Sequence, residues 1–171
     1  MTIFLSLFGL NHIPFHVVAQ LQRNKGAQNY FKEMREKHNC KIILKGASSK
    51  KLMAIIINNE YLGLACDQNA GEKGVMVPFF EKDASIPKGA AIFQLKTNCP
   101  IFLCYCIADI DYNYFMVVNK LDINNIDFES NDKVFEISKL ISDDLEKMVK
   151  KYPEQYFWFH RKWPKKIYNN L

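Results

Sequence analysis

The sequence predicts an α/β fold: a mostly parallel central sheet flanked by helices. Short apolar runs of strand length alternate with stretches whose apolar residues recur at helical spacing. Clusters of Gly, Pro, Asn and Asp mark the boundaries between them. The chain has 171 residues, of which 49% are apolar and 24% charged. A chain of that size can bury roughly 70% of its unfolded surface, which supports one core and a single domain over residues 1–171.

The elements follow in order. Residues 3–10 read as a short apolar helix closing near Gly9 and Asn11. Phe15–Val18 is a short strand. Over residues 26–38, Ala27, Tyr30, Phe31 and Met34 form one helical face, with Lys32, Glu33, Glu36 and Lys37 elsewhere. Cys40–Leu44 is a strand. Residues 48–58 carry Leu52, Met53, Ile55 and Ile56, a helix capped by Ser48 or Ser49. Tyr61–Cys66 reads as a buried strand, followed by the polar, glycine-bearing loop Asp67–Gly74 and the apolar run Val75–Phe80. Pro87 opens a helix over 88–97. Pro100–Ala108 reads as a buried strand and Asn113–Lys120 as a more alternating one. Residues 132–152 form the longest helix, with an apolar stripe from Val134 to Val149, ended by Pro153. The tail from Glu154 is aromatic and basic.

Composition sets limits on function. The 23 basic and 18 acidic residues leave a formal charge of +5, too mild to demand a nucleic-acid partner. Only three of the basic residues are arginines: Arg23, Arg35 and Arg161. In a lysine-rich chain, arginine points to a need for its planar, bidentate fork. The five cysteines include no C-x-x-C pair. They read as small core residues in a reducing compartment, with Cys104 and Cys106 on one strand face. No stretch approaches the ~18 apolar residues of a membrane span, and the N-terminus lacks the basic start of a signal peptide.

Few residues carry chemistry by pattern alone. Asp67 and Gln68 stand just past a strand, where open α/β sheets bind ligands. A carboxylate there can orient a cation or accept from a hydroxyl, or simply close an Asx turn. Gly71 and Gly74 permit positive φ and close backbone approach, but their spacing matches no nucleotide-binding loop. Arg35 is either a solvated helix-end charge or a partner for a carboxylate. The tail is open to three readings: rings docking on the core, a membrane-interface patch, or a single-strand nucleic-acid platform. The four histidines have no ligand at metal-binding spacing.

Two longer motifs are more specific. Leu64–Phe80 (LACDQNAGEKGVMVPFF) resembles the D-Q…G…V-x-F-F block of the bacterial lipid A biosynthesis acyltransferases, the lauroyl/myristoyl transferase family. Tyr152–Trp163 (YPEQYFWFHRKW) resembles that family's P-E-Q-W-x-W-x-H-R-R-W block. Between them Ala84–Ala91 (ASIPKGAA) resembles its A-S-T-P-x-G-A-A helix start. Val17 and Val18, then Arg23, Asn24 and Arg35, fit its V-V-Y-R-P…N-P…R stretch. The likeness covers essentially the whole chain, in order. Ala19–Gln20 departs from the usual Tyr-Arg, and Glu81 from the usual Gly.

The resemblance implies a lysophospholipid-acyltransferase-like fold. It implies transfer of a fatty acyl group from acyl carrier protein to a hydroxyl of a lipid A precursor or related glycolipid. No cofactor and no metal are implied, because the thioester drives the reaction, and no nucleic acid is a partner. The setting implied is the cytoplasmic face of the bacterial inner membrane, with this chain peripheral on the membrane surface. Arg35, Asp67 and Gln68 would line the site, and Arg161 and Lys162 would contact headgroup phosphates or support the fold. The family's base is a histidine in a His-x-x-x-x-Glu/Asp motif. The residues five positions after His12, His16, His38 and His160 are Val17, Leu21, Ile43 and Lys165. Counting back from Val17 places the motif at or before Met1. The expectation is a chain lacking the N-terminal part and the catalytic dyad, of little activity by itself. The alternative is a non-catalytic remnant or a subunit that complements a separate piece.

Overall fold

A computed structural model describes residues 8, 10–36, 40–124, 126 and 132–169. The chain forms two compact units, residues 1–64 and 65–171.

The first unit is a three-stranded parallel sheet with two helices. Strand β1 (Phe15–Ala19) lies between β2 (Lys41–Leu44) and β3 (Tyr61–Gly63). Val17 stands opposite Ile42 on one side and Gly63 on the other. Helix α1 (Lys25–Glu36) connects β1 to β2, and α2 (Ser49–Ile57) connects β2 to β3. The β-branched residues of β1 and β2 suit a pleated, buried sheet, and each parallel connection needs a crossover helix. Asn24 Oδ1 accepts from the Ala27 N–H at the start of α1. Ser48 Oγ accepts from the Lys51 N–H, so Ser48 is the cap of α2. Phe15, Val17 and Cys40 form a small core, with Phe8 stacked on Phe15 at 4.4 Å between ring centroids. Phe8 and Leu10 are helical; the remainder of the helix expected over 3–10 lies outside the described residues.

The second unit corrects the expectation of a mostly parallel sheet. Its strands pair antiparallel: β4 (Val75–Phe79) with β5 (Lys82–Ile86), and β6 (Phe102–Ala108) with β7 (Tyr114–Lys120). The cause is connection length. Only Phe80 and Glu81 separate β4 from β5, and both have positive φ (50° and 61°), the geometry of a two-residue hairpin turn. The β6–β7 turn is closed by Asp109, whose carboxylate accepts from the Asp111 and Asn113 N–H groups. Pro78 sits within β4, and its carbonyl accepts from Ser142 Oγ at 2.7 Å.

Helix α3 (Gly89–Thr97) and the long α4 (Lys133–Lys151) pack on these hairpins. Ile137 and Ile141 of α4 meet Val77, Ile86 and Ala91, while Leu145 and Val149 meet Phe79 and Ala84. These are the i, i+4 neighbours of the stripe expected from sequence. Asp132 caps α4 by accepting from the Phe135 N–H. Two further expectations are corrected. Pro100–Ala108 is not a buried strand: within β6 only Ile107 is buried. Cys106 is exposed and Cys104 half-buried, so the face they share is not core. The β6–β7 ribbon has no third strand among the described residues, leaving one face largely to solvent. The tail folds back as a 3-10 turn (Pro153–Gln155) and a single helical turn α5 (Lys165–Tyr168).

Candidate functional site

The loop that carries Asp67 is built by its own residues first. Asn69 Oδ1 accepts from the Gly71 N–H at 2.8 Å, an Asx turn. Gly71 has φ +61°, with open space where a Cβ would stand. Gly74 is required for a different reason: a Cβ there would lie 2.2 Å from Ser85 Oγ and 2.6 Å from the Ile86 carbonyl. The loop is therefore pressed against β5, and Ser85 Oγ donates to the Gly71 carbonyl at 2.6 Å. The glycines permit close approach, but what approaches is the protein's own strand.

The second layer comes from the tail, about ninety residues away. Lys162 Nζ donates to the Asp67 carbonyl at 2.8 Å, and Tyr156 Oη donates to the same oxygen at 3.2 Å. The Asn69 N–H donates to His160 Nε2, so the imidazole proton sits on Nδ1. Asn69 Nδ2 donates to the Arg161 and Trp163 carbonyls, both at 3.3 Å. Trp163 Nε1 donates to the Phe79 carbonyl, and its ring packs in the core around Phe79. The two resembling motifs thus meet: the tail block is the brace of the Asp67 loop.

Burial tunes the groups around it. Lys162 is 1% exposed, its ammonium 5.1 Å from the Phe79 ring centroid. Burial pulls its pKa down to about 8, with the nearby Asp67 carboxylate partly offsetting that. Burial pushes the Cys66 thiol up to about 11, with Asp67 adding to the rise. It is therefore a thiol at neutral pH and a poor nucleophile. The Tyr156 hydroxyl is raised to about 12, first by burial and then by Asp67 and Tyr168, so it stays a donor.

The Asp67 side chain is exposed and makes no hydrogen bond or ion pair among the described residues. Its backbone carbonyl is held by two donors, while its carboxylate makes no direct bond and acts on Lys162, Cys66 and Tyr156 through charge alone. Such a group can accept from a ligand hydroxyl or orient a cation, and Gln68, also exposed, offers an amide beside it.

The remaining sequence-singled residues fall as follows. Lys162 faces inward, and the work this geometry gives it is structural. Arg161 is exposed; its carbonyl is held by Asn69 and its guanidinium is left to solvent or ligand. Arg35 belongs to α1 in the first unit, and its side chain lies outside the described structure. The bracing roles of Asn69 and Tyr156 are not legible in the sequence, because their partners lie about ninety residues away and leave no local pattern.

A second pair with a base-and-carboxylate form lies in the first unit. His16 Nε2 is bonded to the Glu60 carboxylate. His16 is buried at the N-terminal end of β1, and Glu60 immediately precedes β3. A hollow of about 620 Å³ in the same unit is lined by His12, Pro14, Glu36, Cys40 and Lys41 among others. It contains none of the residues the sequence nominated. No group of three or more His, Cys, Asp or Glu residues is placed to hold a metal ion among the described residues. No helix among them is long and apolar enough to cross a membrane.

No curated protein matches the chain at a significant level. One family model, described as bacterial lipid A biosynthesis acyltransferase, matches residues 3–165. That span takes in the Asp67 loop, the β4–β5 hairpin and the tail that braces them, and the chain belongs to the bacterial lipid A biosynthesis acyltransferase family.

Proposed function

We propose that the chain serves fatty acyl transfer from an acyl carrier protein thioester to a hydroxyl of a lipid A precursor. In this reading both units belong to one acyltransferase domain working at the cytoplasmic face of the inner membrane. The observation that carries it is the Asp67 loop: a free carboxylate on a backbone locked by the tail motif, in a chain of this family. Asp67 and Gln68 line the acceptor or donor site and orient its polar groups. Arg35 pairs with the acid of the catalytic dyad or with the donor's charged groups, and Arg161 contacts phosphate.

None of the four histidines has Glu or Asp five positions on. The reading therefore assigns binding and orientation to this chain and no general base. That same observation favours a second reading, in which the chain complements another polypeptide that carries the base, or is a remnant without activity.

The test is acyl transfer from a long-chain acyl-carrier-protein thioester to a lipid A precursor, followed by product mass. Under the first reading the purified chain, having no general base of its own, shows only slow transfer, and Asp67→Asn lowers it further through lost orientation. Under the second, transfer appears only when a polypeptide bearing the histidine motif is added. Transfer by the chain that is indifferent to Asp67→Asn would remove Asp67 from the site.

A further inference from the structure

Three sulfur atoms share the outer face of the β6–β7 ribbon. The inner face is identified by its bonds. Tyr105 Oη donates to the Asp144 carboxylate of α4 at 2.7 Å, Asn119 Nδ2 donates to the same carboxylate, and Ile107 is buried. Side chains alternate along a strand, so the even-numbered residues of β6 and β7 stand on the opposite face. In the antiparallel register these are Phe102 opposite Lys120, Cys104 opposite Val118, Cys106 opposite Met116 and Ala108 opposite Tyr114. Cys106 is exposed, and Cys104 and Met116 are half-buried. The sulfurs occupy the middle of this face, and none of these residues is an acid or a histidine.

The spacing favours an atom between the two cysteines over a bond joining them. Cβ atoms two residues apart on a strand are about 6.6 Å apart. A disulfide needs about 3.8 Å, and both thiols are free. Side chains in strands lean along the strand direction, so two thiols leaning toward one another bring their sulfurs to about 4 Å. That is the span of a metal ion with two sulfur bonds of about 2.3 Å. Met116 stands directly across from Cys106, with Cβ atoms about 5 Å apart. Its three rotatable bonds carry the thioether to the same point. Cys104 Sγ makes only a weak bond, 3.8 Å long, to the Phe102 carbonyl, and burial pushes its thiol pKa up. A metal replaces that bond and displaces that proton.

The donor set selects the ion. Two thiolates and a thioether are soft ligands. Zn(II) closes a tetrahedron of four ligands, and this face offers no imidazole or carboxylate to complete one. Cu(I) is satisfied by three sulfurs.

We propose that Cys104, Cys106 and Met116 form a binding site for one Cu(I) ion on the outer face of the β6–β7 ribbon. Binding forms two copper–thiolate bonds and one copper–thioether bond, releases two thiol protons to solvent and leaves the copper as Cu(I). The site uses none of the groups assigned to acyl transfer, and it stands or falls independently of that reading.

The test is an anaerobic titration of the reduced full chain with Cu(I), in competition with the chromophoric chelator ferrozine. One equivalent is expected to bind, with a thiolate-to-copper charge-transfer band in the ultraviolet. Cys104→Ser and Cys106→Ser should each weaken binding at least about 100-fold, and Met116→Leu about tenfold. Cys99→Ser, which alters the nearest other cysteine in sequence, should leave it unchanged. Cys106 is exposed, so Cys106→Ser should keep the wild-type melting temperature, and it decides should Cys104→Ser misfold. Absence of binding, binding that Cys106→Ser does not change, or tighter binding of Zn(II) than of Cu(I) overturns the site. One ion per two chains overturns it as well, because the ligands would then come from two copies.

Discussion

Two regions of this protein tie an acidic residue to a basic side chain from far along the sequence, and they do so differently. In the first unit, His16 bonds the carboxylate of Glu60, forty-four positions away. In the second, Lys162 bonds not the carboxylate of Asp67 but its backbone carbonyl. The first arrangement engages the acid directly through one carboxylate oxygen, and its product is a fixed strand end. The second fixes the backbone and leaves the acid head free. A carboxylate already satisfied by a neighbour is a structural part. One whose main chain is held while its oxygens face solvent is preorganised for a ligand.

The comparison can be broken by stability measurements. The largest loss is expected for Lys162→Ala, which removes a buried stem and a donor to the Asp67 carbonyl. Denaturant unfolding should show about 2–4 kcal/mol of destabilisation. Loss below that range would mean the tail does not hold the loop.

Lys162 also has a pH signature. Its folded pKa, lowered to about 8, lies below the ordinary lysine value of 10.5, so the unfolded chain binds the extra proton between them. Stability from this group therefore rises with pH across that window. Cys66, Tyr105 and Tyr156 have raised values and act in the opposite direction at higher pH. The stability difference between wild type and Lys162→Met isolates the lysine. It should move in favour of wild type from pH 8 to 10, and a flat difference would place the ammonium in water.

Next in size is the contrast between the two acids. Glu60→Gln, which weakens the His16 pair, should cost about 1–3 kcal/mol. Asp67→Asn should cost less than Glu60→Gln, because its carboxylate makes no direct bond in the described structure and steadies the buried Lys162 ammonium through charge alone. Equal losses would erase the distinction. Between these lies Glu81, at φ 61° in the hairpin turn. Glu81→Gly, the residue usual at that position in the resembling motif, should raise stability by about 1 kcal/mol. A fall would mean the Glu81 side chain makes a contact worth more than the strain.

Most elements were legible from periodicity. Helices α1 and α2 and the long α4 follow from spacing, the cap of α2 is narrowed to Ser48 or Ser49 by capping chemistry, and the Asp67 loop follows from its glycines. Strand β5 was not legible. Its sequence, Lys-Asp-Ala-Ser-Ile, has no alternation, since Ala84, Ser85 and Ile86 are all buried. The turn before it lacks the Gly or Asn that marks a two-residue hairpin, so the antiparallel pairing was hidden too. The sequence leaves Lys162 open between a headgroup contact and a support of the fold, since nothing local tells a buried lysine from a solvated one. Its burial depends on Trp163 and Tyr156 packing around Phe79. The brace by Asn69 and the His16–Glu60 pair are long-range bonds, which a linear pattern does not encode.

Pro78 has one more consequence. In a hairpin closed by Phe79 and Lys82, the residue before Phe79 turns its amide position away from β5. At that place β4 carries proline, which has no N–H to offer. The outer border of β4 is thereby interrupted in its middle, and an extended segment from another molecule finds no continuous ladder to join. A buried Ser142 hydroxyl holds the Pro78 carbonyl as well. The hairpin beneath the Asp67 loop is in this way guarded against self-association, a hazard for any short two-stranded ribbon with an apolar face.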